Sequence, residues 1–310
     1  MTPALAVGPG TDDDGPMSPS EDLEVSGIVV GVDGSPSSAG AVAWAARTAA
    51  LRGVELTLLH ALPGAISPVW LDVALPQEYW DFQDEQAQRV LDAARQAAEE
   101  ATADGGTPRI VTKLVPGHAV ATLIECSRRA DLVVVGSRGQ SKWGRRLLGS
   151  ASSSLAQHAH GPVAVIPDSE RDTTAPVVVG VDGSPASDYA TEVAFDEASR
   201  RGVELVVVHT WTDLNSEFPN FRWDDLSDEA ERALAEQLAG WGERYPDVTV
   251  QRVVLPDKPA RQLLIQAETA QLVVVGNRGR GGFTGLLLGS VSTAVVHSST
   301  APVIVARRRQ

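Results

Sequence analysis

The strongest constraint on this chain is that it repeats itself. Residues 29–36 read VVGVDGSP, and the same eight letters return at 178–185, an interval of 149 (178 − 29). RGVEL recurs at the same interval, at 52–56 and 201–205. A third repeat, Gly-x2-Gly-x9-Gly-Ser, occupies Gly136, Gly139, Gly149 and Ser150, then Gly276, Gly279, Gly289 and Ser290, at an interval of 140 (276 − 136). The change of interval means that one domain was duplicated and that the second copy is nine residues shorter in its middle. Whatever fold serves one half must serve the other, and 310 residues give each copy an ordinary domain length.

Within each copy, short β-branched runs alternate with longer helical patterns. Strands are predicted at 28–32, 55–60, 110–114, 132–135 and 163–166, and at 177–181, 204–209, 249–253, 272–275 and 303–305. Helices of the first copy fall near 36–51, 79–103, 118–129 and 150–159, with matching helices in the second. The strands are continuous Val, Ile and Leu runs rather than alternating ones, the mark of strands covered on both faces. Ser35-Pro36 and Ser184-Pro185 are helix starts, with Ser as N-cap and Pro at the first helical position. The expected fold is α/β: two tandem, doubly wound, five-stranded parallel-sheet domains, Rossmann-like, with strand order 3-2-1-4-5. Expected boundaries are 25–167 and 175–310, joined by a polar linker at 168–174. Residues 1–24 hold six acids, four prolines and no Lys or Arg, a composition that predicts a disordered acidic tail.

Charge and cysteine content narrow the function. A formal net charge of −14 argues against broad binding to nucleic acid or to an anionic membrane. The apolar runs are strand-sized, well below the roughly 20 residues that span a bilayer. No basic segment leads into an apolar stretch at the N-terminus, and the single Cys126 suits a reducing compartment, so a cytoplasmic location is expected. An anionic ligand would have to be held by local geometry.

The glycine pattern supplies such a geometry. In open parallel sheets, ligands bind at the carboxyl ends of the strands where the winding reverses. Gly136 and Gly276 each follow a fourth strand, so they stand at that edge, where glycine permits close approach or positive φ. Gly149-Ser150 and Gly289-Ser290 precede a helix, whose free N–H groups and dipole favour an anion. The loops between are long enough to wrap a polyphosphate. They carry Arg138, Lys142, Arg145 and Arg146 in one copy and Arg278 and Arg280 in the other. Other phosphate loops fit poorly, because Gly144 is followed by Arg145-Arg146 rather than Lys-Ser/Thr, and no GxGxxG follows the first strand. Asp33 and Asp182 end the first strands. Each either accepts hydrogen bonds from ribose hydroxyls or a base amino group, or stabilises a turn with its own backbone.

Taken together, VVGVDGS, a His-ended second strand and Gly-x2-Gly-x9-Gly-Ser resemble the universal stress protein family, over about residues 25–167 and 174–307. The resemblance implies ATP binding, with or without Mg²⁺. It assigns Asp33 and Asp182 to the nucleoside, and the backbone of Ala61 and Thr210 to adenine. Gly136, Gly139, Gly149 and Ser150 would line ribose and phosphates, as would Gly276, Gly279, Gly289 and Ser290. Ser152 and Ser292 are weaker candidates for a terminal phosphate. The family also pairs domains through the fifth strand, which implies that the two copies clasp each other and that two chains associate further.

The resulting expectation is a nucleotide-dependent stress-response regulator with an unidentified regulatory protein partner. Slow ATP hydrolysis or phosphoryl transfer is the alternative, weakened because no residue near the loops clearly supplies a base. A nucleotide-free interaction module is the third. The remaining reactive residues carry bland readings. Cys126 is inert packing, His60 and His209 are structural, and His158 and His160 lack a ligand set for a metal. Trp70, Trp80 and Trp223 pack in core or interface, and Arg307, Arg308 and Arg309 are a solvated end.

Overall fold

The computed structural model describes residues 24–62, 77–139, 148–169, 171–211, 223–280 and 287–309. The first copy runs β1 (Ile28–Gly31), α1 (Pro36–Arg52), β2 (Leu56–Leu62), α2 (Gln77–Glu100), β3 (Ile110–Pro116), α3 (Ala119–Cys126), β4 (Leu132–Gly136), α4 (Ser150–His158) and β5 (Val163–Ile166). The second runs β6 (Val177–Val181), α5 (Pro185–Arg201), β7 (Leu205–Trp211), α6 (Trp223–Arg244), β8 (Val250–Pro256), α7 (Pro259–Ala267), β9 (Leu272–Gly276), α8 (Ser290–Ser298) and β10 (Val303–Ala306). The expected elements are all present, with ends shifted by a few residues. The acidic tail to residue 23, Trp70, Lys142, Trp143, Arg145 and Arg146 lie outside the described residues, as does the side chain of Trp223.

Each copy has the order 3-2-1-4-5, and the two join edge to edge into a ten-stranded sheet, β3-β2-β1-β4-β5-β10-β9-β6-β7-β8. Pairing inside each copy is parallel, whereas β5 and β10 pair antiparallel in the register Val163 to Val305, Ala164 to Ile304 and Val165 to Val303. The strands bury both faces. Ile28 and Val30 face one core with α1, α2, α5 and α6, while Val29 between them faces a second core with α3, α4, α7 and α8. That two-sided burial is why the runs are continuous rather than alternating.

Ser35 caps α1, its hydroxyl accepting the N–H of Ser38 at 3.2 Å, and Ser184 does the same for α5 through Ser187. Both helices end on a left-handed glycine, Gly53 or Gly202, which no β-carbon would favour there. These two helices also meet across the seam. Glu197, 1 % exposed, lies 2.6 Å from Arg52 of the other copy and 2.7 Å from Arg201. Burial raises the Glu197 carboxyl, but the two guanidiniums override it and hold the group below the usual range. Its counterpart in the first copy is Thr48 (197 − 149), whose hydroxyl accepts from Arg201 at 3.1 Å. The seam is therefore two-fold in backbone and asymmetric in charge.

Of the C-terminal arginines, Arg308 and Arg309 are exposed as expected, whereas Arg307 is half-buried. Arg307 donates to the main-chain oxygens of Ala159, Ala156, Gln157 and Leu287. Arg308 stacks on Tyr189, with its guanidinium 5.1 Å from the ring centre, and Arg309 pairs with Asp131 at 2.8 Å. Arg307 and Arg309 thus cross the seam to the first copy, whereas Arg308 stays on α5 of its own copy. Among the described residues, no helix is long and apolar enough to cross a membrane.

Candidate functional site

β1 and β4 are neighbours at the point where the winding reverses, so Asp33 and Gly136 arrive at one sheet edge. Asp33 uses one oxygen, Oδ1, to accept the N–H of Ser35 at 2.9 Å, closing a turn over Gly34, whose φ is 77°. The other oxygen faces the loop, where a β-carbon on Gly139 would stand 3.1 Å from it. The turn reading of this carboxylate accounts for Oδ1. His60 Nδ1 lies 2.6 Å from Val32 O, and His209 Nδ1 lies 2.8 Å from Val181 O. Each ties the second strand to the end of the first, the structural role expected.

Gly136 does not use its conformational freedom, since positive φ among the described residues occurs at other glycines. Its requirement is space: a β-carbon there would sit 2.7 Å from Ser37 O in the first turn of α1. Gly276 stands against Ala186 in the same way, with its β-carbon 2.9 Å from the main chain. These two glycines let helix and strand ends close up, and so fix the floor of the site rather than admit a ligand.

The helices after the glycine loops begin differently from α1 and α5. Gly149 and Gly289 occupy the N-cap positions of α4 and α8, and no side chain caps either helix. Their own N–H groups are spent on Ser137 O and Asn277 O, both at 2.8 Å. The first-turn N–H groups that follow have no intrahelical acceptor. Ser152 and Ser292, in that first turn, do not reach outward. Each is buried and donates its hydroxyl back to Gly136 O or Gly276 O, at 2.8 and 2.6 Å, so its donor is already used.

These parts enclose a cavity of about 530 Å³ in the first copy. Asp33, Gly136, Gly139, Gly149, Ser150 and Ser152 all line it. Sequence reasoning missed its apolar end, Leu59, Ala119 and Leu123. The available signal was Gly31 in the repeated VGVD, because a β-carbon there would meet Leu123 at 2.7 Å, and Gly180 meets Leu263 at 2.9 Å. Ala61 is not part of the lining, and the direction of its backbone follows from its neighbours. Leu59 O accepts from Val32 on the β1 side, whereas Leu62 O accepts from Gly117 on the β3 side. By parity Ala61 points to the β1 side, past the end of β1 at Gly31 and so into the crevice. Thr210 holds the same parity in β7, two residues after Val208, which pairs with Gly180.

In the second copy both oxygens of the corresponding carboxylate are engaged. Asp182 Oδ1 accepts from Ser184 N at 3.0 Å, and Oδ2 accepts the main-chain N–H of Arg280 at 2.9 Å. A β-carbon on Gly279 would collide with the same Oδ2, and the Arg280 guanidinium lies across Gly183. Burial raises the Asp182 carboxyl, but bonds from Ser184, Arg280 and Ser187 outweigh it and hold the group below the ordinary range. Arg138 of the first loop pairs with Asp168 at 2.6 Å, toward the seam. Cys126 is buried, and that burial pushes its thiol up to about 11, which keeps it protonated and inert.

The universal stress protein family model matches residues 26–167 and 174–307. Universal stress protein Rv2623 of Mycobacterium tuberculosis H37Rv is 49% identical over 286 residues, covering 91% of this chain and 96% of the relative. Universal stress protein Rv1996 of the same strain is 50% identical over 303 residues, covering 91% and 95%. Among solved structures, a universal stress protein from Archaeoglobus fulgidus superposes with a TM-score of 0.68 at 24% identity, covering 91% of this chain and 98% of that one, a likeness of fold. With both halves matched and relatives this close along nearly their whole length, the chain belongs to the universal stress protein family, as a tandem of two such domains.

Proposed function

We propose that this chain binds ATP, with Mg²⁺, once in each domain, and acts as a nucleotide-dependent regulator of the stress response. One observation carries the binding half. The same chain caps α1 and α5 with serine but opens α4 and α8 with glycine, in both copies and next to the sheet edge where ligands bind. Uncapped first-turn amides beside a cavity of about 530 Å³ suit a polyphosphate, and the volume lies in the small-ligand range of about 300–1,000 Å³. The cradle at Gly139, which any side chain would fill against Asp33, fits the same ligand.

In this reading, the amides of Ser150 and Ala151 and the hydroxyl of Ser150 hold phosphate oxygens. Asp33 and Asp182 accept from ribose hydroxyls. The backbones of Ala61 and Thr210 meet the adenine edge, with Leu59 and Leu123 beneath. Ser152 and Ser292 position the loop through Gly136 O and Gly276 O instead of touching phosphate. The regulatory half rests on family membership, an analogy rather than a site argument. A homo-oligomer of tandem chains and a regulatory protein partner belong to the same analogy.

The test is to denature the purified protein and identify the small molecules released. ATP approaching two per chain after incubation with ATP and Mg²⁺ supports the proposal. ADP accumulating with time indicates turnover instead, and a protein that takes up no nucleotide overturns it.

A further inference from the structure

A second cavity, about 570 Å³, opens at the seam between the copies, lined by Arg138, Pro167, Asp168, Val296, His297 and Ser299 among others. The duplication shows what belongs in it. The backbones of the two copies are related by a two-fold axis through β5 and β10, so every feature on one side of the seam has a counterpart on the other. On the opposite side the equivalent space is filled by the chain itself. Arg307 lays its guanidinium on the end of α4, donating to Ala159 O, to Ala156 O at 3.1 Å and to Gln157 O at 3.0 Å. Subtracting the interval of 140 turns Arg307 into Pro167, and adding it turns Ala156, Gln157 and Ala159 into Val296, His297 and Ser299. All four of these residues line the seam cavity. Three of the four acceptor positions are kept, the counterpart of Leu287 lying outside the described residues, and the internal guanidinium has been replaced by proline.

The electrostatics agree. The last carbonyls of α8 have no intrahelical donors and carry the negative end of the helix dipole, which favours a cation. Asp168 adds a carboxylate that the other side lacks, since its counterpart is Arg308. We propose that the seam cavity binds an alkylguanidinium, planar donors on the α8 carbonyls and the stem along Pro167, with Asp168 competing for its charge against Arg138. A guanidinium fits better than an ammonium because its rigid fork of five donors addresses several carbonyls at once, as Arg307 does. The volume leaves room for a stem of several carbons.

The source of that group is either a free small molecule or an arginine side chain of another protein, and titration separates them. Agmatine and a capped arginine tripeptide are each titrated into the full chain by calorimetry, beside butylamine. Saturable binding of one agmatine or one tripeptide per chain, at least about tenfold tighter than butylamine, is expected. The tighter of the two probes identifies the source. Pro167→Arg supplies the missing internal guanidinium, so it abolishes binding while thermal unfolding shows the protein still folded. Arg307→Ala empties the opposite side and raises the stoichiometry from one to two. No saturable binding at millimolar probe, or binding unchanged in Pro167→Arg, overturns the proposal.

Discussion

Thr57 is a single methyl away from a better side chain. It is the second residue of β2, fully buried, and its hydroxyl finds no hydrogen-bond partner among the described residues. The second copy places Val206 at the same point of β7 (57 + 149), also buried. Replacing Thr57 by Val removes an unsatisfied polar atom at nearly constant shape. It is expected to stabilise the protein by about 1 kcal/mol, read as a higher urea midpoint. Gly136→Ala runs the other way. The added methyl meets the main chain of Ser37 as well as its hydroxyl, and because the main chain cannot swing away the expected loss is about 1–3 kcal/mol by the same measurement. Gly139 faces only the tip of Asp33, so Gly139→Glu leaves the fold intact. It is expected to abolish nucleotide uptake in the first domain, lowering the ATP released on denaturation by one per chain. Unchanged release would place the phosphates elsewhere.

At the scale of elements, the seam between α1 and α5 depends on one carboxylate. Removing it by Glu197→Ala leaves Arg52 and Arg201 buried without a counter-charge, at an expected cost of about 3–5 kcal/mol. The sign of the pH effect follows from the depressed carboxyl of Glu197. Its stabilising contribution is complete above the unfolded carboxylate value near ~4.3 and fades as pH falls below it. Urea midpoints measured between pH 6 and pH 3.5 are expected to fall in the natural protein and to fall less in Glu197→Gln. Nothing in the sequence announced this cluster, because Arg52 and Glu197 are 145 positions apart and the pattern of α5 offers only a local partner for Arg201. The strands were legible for the opposite reason. Burial on both faces imposes a local composition, so β4 reads as a strand without its neighbours. The glycines were legible as a site but not by role, since only the fold shows that Gly136 faces α1 while Gly139 faces Asp33. Arg307 was misread for lack of context, because a hydrophilic letter at a chain end looks solvated until β10 carries it across the seam.

The whole molecule is a domain pair closed on itself. A fragment ending at residue 169 would expose β5 and pair with a second copy in the register β10 now uses. That dimer would bring two Arg52 side chains to the axis with only Thr48 beside them, whereas the intact chain meets Arg52 with Glu197. Thr48→Glu in the fragment restores a carboxylate to each arginine and is expected to tighten the dimer about tenfold or more, measured by sedimentation equilibrium. Equal dissociation constants would show that charge plays no part in choosing the partner. The antiparallel join has one further effect. It consumes the inner border strands of both halves, so the continuous sheet ends at β3 and β8. Each carries a cation, Lys113 or Arg252, and finishes on proline, Pro116 or Pro256. Such rims resist templating. Strand-by-strand growth beyond these ten is therefore disfavoured at both rims.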